Sequence, residues 1–144
     1  MKLSEIIAIY KRLDKATANS LEEADVIKIL KARKSIRPYV NAYNDFEKDC
    51  HEKFKFEGIE DAEKLRIEVV GKISADKSYA PTKEEMEAIK QINEYFTKVN
   101  RVLNEERDRD IEIELPKLSE NSDVKLMREN KWTCEELDEI EVIL

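Results

Sequence analysis

The sequence predicts a mainly α-helical protein: a long, coiled-coil-like antiparallel helical hairpin with a small β element and a short C-terminal helical region. Two long apolar stripes at helical spacing carry that prediction, together with a charged fraction of 41% against an average of about 25%. The third observation is the scarcity of turn formers. With 2 glycines and 3 prolines, the chain has little with which to break helices often.

The first helix is expected from Ser4 to about Ala16, with Leu3, Ile6, Tyr10 and Leu13 on one stripe. Ser4 is the expected N-cap, and Glu5 complements the helix dipole in the first turn. Ala18-Asn19-Ser20 interrupts the pattern, and Ser20 with Glu23 has the spacing of a capping box. The second helix then runs to about Phe54. Its apolar line is Val26, Ile29, Ala32, Ile36, Tyr39, Tyr43, Phe46, Cys50 and Phe54. Pro38 removes one ladder bond, so a kink is expected near residues 34–37, but the stripe continues past it on the same face.

Residues 55–81 are too long for a structureless connection. Ile59, Ala62, Leu65, Val69 and Ile73 fit a helix, whereas Leu65, Ile67 and Val69 alternate as a strand would. Periodicity leaves both open. Thr82 and Glu85 form the next capping box, after Pro81. The helix they open carries the clearest seam of the chain: Met86, Ile89, Ile92, Phe96, Val99 and Leu103. That seam is a candidate surface for helix packing or for an oligomer. Such a helix spans roughly 39 Å and needs a long partner, which the 21–54 helix supplies.

Beyond Arg107 the period changes to two. Ile111, Ile113 and Leu115 alternate with Glu112 and Glu114 up to Pro116, the pattern of a half-buried strand. A short helix with Val124, Leu126 and Met127 follows. Thr133/Glu136 capping and a Trp132/Leu137 staple then predict a last helix. The chain reads as one domain over 1–144: a hairpin of 21–54 with 82–107, an insertion at 55–81, and a strand–helix region at 110–144.

Composition excludes several classes of function. A net charge of −7 argues against a nucleic-acid binder, which presents a basic surface. No apolar run approaches the ~20 residues of a membrane span, and the opening Met1-Lys2-Leu3-Ser4 does not lead into a signal-peptide core. With Cys50 and Cys134 the only cysteines, no disulfide framework is expected. A reducing cytoplasm is the expected location.

No catalytic or metal-binding constellation stands out, and no cofactor is expected. Cys50 and His51 are adjacent, but neighbouring helical side chains point about 100° apart, and Cys50 lies on the apolar stripe. The carboxylates Glu84, Glu85, Glu87 and Glu94 alternate with basic residues in the manner of a solvated helix face. The one local excess of positive charge is Lys28, Lys31, Arg33, Lys34 and Arg37. It is the candidate site for an anionic partner or ligand.

Further patterns recur in order along the chain: Ile36-Arg37-Pro38-Tyr39-Val40-Asn41-Ala42-Tyr43, Asn100-Arg101-Val102-Leu103-Asn104-Glu105, Asp110-Ile111-Glu112-Ile113, and Thr133-Cys134-Glu135-Glu136-Leu137-Asp138-Glu139-Ile140. With the opening Met1-Lys2-Leu3 they resemble a family of small, uncharacterised phage and prophage proteins, over roughly residues 1–54 and 95–144. The resemblance implies no activity and no catalytic residues. It points to a viral protein that binds another protein, in virion assembly or in inhibiting a host defence factor, and a homo-oligomer is expected as well. The alternative expectation is a small-ligand binder that sequesters an anionic signalling nucleotide through the basic cluster. A metal-dependent hydrolase ranks below both.

Overall fold

The computed structural model describes residues 1–144. It consists of helices α1 (Leu3–Asp14), α2 (Glu23–Phe54), α3 (Ile59–Ala75), α4 (Lys83–Arg107), α5 (Ser122–Asn130) and α6 (Cys134–Asp138), with a closing 3₁₀ turn at Glu141–Ile143. The protein is mainly helical, as expected. Contacts divide it into one unit of residues 1–45 with 106–144, and a second of residues 46–105.

In the first unit, α1 buries Leu3, Ile6, Ile9 and Leu13. Its cap is Lys2, two residues before the expected Ser4, and Glu5 reaches back to accept from the Lys2 amide at 2.7 Å. α2 starts at Glu23 rather than at a Ser20/Glu23 box. Ser20 is taken elsewhere, its amide and hydroxyl both donating to Glu129, at 3.0 and 2.6 Å. The turn is extended by Asn130, whose side chain accepts from the Thr17 amide at 2.6 Å and donates to the Thr17 carbonyl at 2.8 Å. α2 is continuous through Pro38, so the proline does not stop it.

The expected β element is absent as a strand. Residues 111–115 form no regular element, yet burial alternates as the sequence predicts, with Ile111 buried and Glu112 and Glu114 exposed. Only one isolated antiparallel bridge forms, between Lys2 and Asp110. The Ile111 amide donates to the Met1 carbonyl at 2.7 Å, and the Leu3 amide to Arg109 at 3.0 Å. Alternation records one-sided burial, but a strand also needs a row of backbone partners. Here the adjacent backbone turns into α1 at Leu3, and the row ends.

The C-terminal segment is tied to this unit through Arg12. Its guanidinium donates to Glu136 at 3.0 Å and Glu139 at 2.9 Å, and it lies over the Trp132 ring at 5.6 Å. Thr133 caps α6 as expected, accepting from the Glu136 amide at 3.1 Å. Ile140 and Ile143 are fully buried, and the Leu118 amide donates to the Ile143 carbonyl at 2.8 Å.

Residues 55–81, open between helix and strand in the sequence, hold α3. It joins α4 through a network around Glu85. The Thr82/Glu85 box forms in both directions, at 3.0 and 3.2 Å. The Tyr79 hydroxyl donates to the same carboxylate at 2.6 Å, and Lys72 of α3 approaches it at 3.5 Å. The Thr82 amide, then the Tyr79 hydroxyl, hold the Glu85 carboxyl down at about 2, burial opposing them. A depressed carboxyl stabilises the fold above its ordinary value of 4.5, and that contribution disappears as pH falls toward about 2. Glu85→Gln is accordingly expected to weaken the 46–105 unit at pH 7 and to flatten its acid dependence across that window. Thermal melts across an acid series check this. Parallel pH curves for the two proteins would dismiss the carboxylate as the acid-sensitive group.

Candidate functional site

The cluster singled out in the sequence lies on α2 within the first unit, and its members divide. Arg33 is half-buried and donates to Asp14 of α1 at 2.6 Å. Lys28 lies 3.9 Å from Asp25 one turn back. These two cations belong to the fold. Lys31, Lys34 and Arg37 are exposed and carry no ion pair.

At 100° per residue, Lys31, Lys34 and Arg37 share the outward side of α2 with Ile27 and Leu30. The opposite side of this part of the helix buries Ile29, Ala32 and Ile36, which fixes the rotation. Ile27 is 43% and Leu30 54% exposed. The result is one stripe of branched aliphatic side chains running into a row of unpaired cations.

Asp25, on the inward side, was not distinguishable by composition from the other acids. Its carboxylate accepts from the Ser119 amide and hydroxyl, both at 2.9 Å, and from the Ser122 hydroxyl at 3.3 Å. The Ser119 amide is the leading cause of its lowered pKa, with burial opposing. Asp25 anchors the entry to α5 and thereby sets which side of α2 faces out.

In the second unit the α4 seam is rotated from its expected line. Ile92, Val99 and Leu103 are buried and Ile89 is half-buried, while Met86 is 60% and Phe96 40% exposed. Glu85 and Ala88 are buried in their place. Glu85 can occupy that stripe because its Oε1 accepts from the Tyr79 hydroxyl and the Thr82 amide and Lys72 stands 3.5 Å from its Oε2; Met86, hydrophobic but without that network, lies in solvent. On α3, Ile67 and Val70 are likewise exposed.

No local pattern of residues pairs His51 with Tyr95. The His51 Nδ1 lies 2.7 Å from the Tyr95 hydroxyl, with the rings 5.9 Å apart and Phe56 edge-on to Tyr95 at 6.4 Å. Burial pushes the Tyr95 phenol up, with Cys50 and Glu52 adding to it. Cys50 itself is buried and free, and Cys134 is exposed and free. The histidine thus partners a phenol across the helices instead of its neighbouring thiol. The signal available in the sequence was positional: Tyr95 lies three residues from Ile92, on the flank of the seam.

No group of His, Cys, Asp and Glu side chains is gathered so as to hold a metal ion, and no helix is long and apolar enough to cross a membrane. No family model, curated protein or solved structure matches the chain.

Proposed function

We propose that the protein is a non-catalytic binding protein, in the phage or prophage setting that the sequence resemblance implies. It holds an acidic surface of a viral or host protein against the outward face of α2, in virion assembly or against a host defence factor. The observation that carries this reading is the stripe of exposed Ile27 and Leu30 leading into Lys31, Lys34 and Arg37. Cations left unpaired on a chain of net charge −7 complement carboxylates, and the adjoining aliphatic residues give such a partner an apolar anchor. The row follows one exposed helix face at about 5 Å per turn, which matches carboxylates spaced along a protein surface better than the compact charge of a nucleotide.

The antiparallel pairing of 21–54 with 82–107 is the frame of the proposal, supported by the His51–Tyr95 contact between α2 and α4. Self-association is its second part, supported by the exposed Ile67, Val70 and Met86.

The test compares wild type with K31E/K34E/R37E. The probe is a synthetic helical peptide presenting glutamates beside paired leucines; proteins captured from phage-infected or lysogenic cells are compared between the two baits. Charge-assisted hydrogen bonds are worth about 1.5–3 kcal/mol each, so reversal is expected to weaken peptide binding more than about 100-fold. Each exposed substitution should move stability by only about 0.5 kcal/mol, and wild-type binding should weaken with salt. Equal peptide affinity for the two proteins, with the same captured set, would refute the assignment. Light scattering on the same samples reads the second part, a mass above the 16.9 kDa of one chain being expected.

A further inference from the structure

Residues 46–105 form a cleft of about 520 Å³, within the range of small-molecule sites. It uses no residue of the outward stripe of α2 and goes beyond the protein-binding reading. Ile92 and Ile59 line it, and Tyr95 and Phe96 form an aromatic wall, their rings 5.3 Å apart and inclined at 60°. Phe96 is left 40% exposed, on an apolar surface that the fold does not cover.

The polar groups are unevenly committed. Glu63 is neutralised by Arg66, whose Nε donates to it at 3.1 Å. Lys55 and Lys64 also line the cleft, are exposed and have no ion pair, leaving Glu60 as the one opposing charge. His51 adds a directed group. The Tyr95 hydroxyl is 2.7 Å from its Nδ1 but 3.4 Å from its backbone carbonyl. Tyr95 thus engages Nδ1 and the backbone of His51, which leaves Nε2 as the ring nitrogen not engaged by Tyr95. The cleft thus combines an aromatic wall, an apolar base, two uncommitted ammonium groups and the edge of one imidazole ring.

We propose that this cleft binds a planar aromatic anion, its ring against Phe96 and Ile92 and its acid group held by Lys55 and Lys64 beside the His51 ring. Stacking supplies affinity, and the ammonium groups select charge.

The probe is 1-anilinonaphthalene-8-sulfonate, set against its uncharged counterpart N-phenyl-1-naphthylamine. One site per chain is expected, with the neutral compound binding at least tenfold more weakly. Phe96→Ala and K55E/K64E should each weaken the sulfonate at least tenfold, while Met86→Ala, at an exposed apolar residue outside the cleft, should change it less than twofold. The chain has a single histidine, so its imidazole resonances report the site directly: saturating sulfonate should shift them in wild type. A perturbed melting temperature in a variant does not decide the matter, because the wild-type histidine shift and the charged-to-neutral ratio are read without substitution. Unshifted histidine resonances, or equal binding of the two compounds, would overturn the proposal.

Discussion

Ile92→Ala is expected to destabilise the 46–105 unit by about 2–5 kcal/mol, the range for removing a large buried aliphatic side chain. Phe96→Ala, four residues on in the same seam, should cost at most about 1 kcal/mol. Ile92 is 1% exposed, whereas much of the Phe96 ring is already in solvent. Urea titration followed by helicity measures both. Similar losses at the two positions would mean that α4 buries its hydrophobic line as the sequence predicts, and that the rotation toward Glu85 and Ala88 is wrong. The contrast matters for function as well, because a Phe96 that contributes little to folding is free to serve the cleft.

The double substitution I140A/I143A is expected to have the largest effect on the other unit. Both side chains are fully buried. At about 2–5 kcal/mol each, their joint loss approaches the whole stability of a small domain, about 5–15 kcal/mol. Hydrogen exchange at the α1 amides should then lose its protection. Glu141 and Val142, exposed between them, provide the control, where alanine should change stability by about 0.5 kcal/mol or less. Retained α1 protection in the double variant would show that the closing turn is an appendage to this unit.

What the sequence made legible follows the range over which each signal acts. The Thr82/Glu85 box and the Thr133 cap were readable because donor and acceptor lie three residues apart and need nothing else. The Ser20/Glu23 box had the same spacing and did not form, because Glu129, more than a hundred residues away, claims both the amide and hydroxyl of Ser20. Ile111 to Leu115 showed the correct alternation of burial without the strand, since periodicity reports which side is covered and says nothing of the backbone partner. Of the basic cluster, spacing placed all five residues on one helix, and they lie on α2. It could not separate Arg33, held by Asp14, from Lys34 beside it, because that distinction depends on how α1 packs. The cleft was legible least of all: it needs the end of α2, the start of α3 and the middle of α4, and no local pattern joins them.

The unit of residues 1–45 with 106–144 has a consequence for how the chain is made. Its bonds from Arg12 to Glu139, Asp25 to Ser119 and Ser20 to Glu129 span separations of 127, 94 and 109 residues. At a synthesis rate of about 5–20 residues per second, a gap of roughly 100 residues takes about 5–20 s to emerge. The intervening residues 46–105 find their contacts among themselves and can complete their fold during that interval. The unit that holds α1 cannot: Leu3, Ile6, Ile9 and Leu13 leave the ribosome roughly 100 residues before the 106–144 part of that unit. For those seconds α1 has only the 1–45 part of its unit to pack with, long enough for a chaperone to occupy it or for a neighbouring chain on the same message to exchange segments with it.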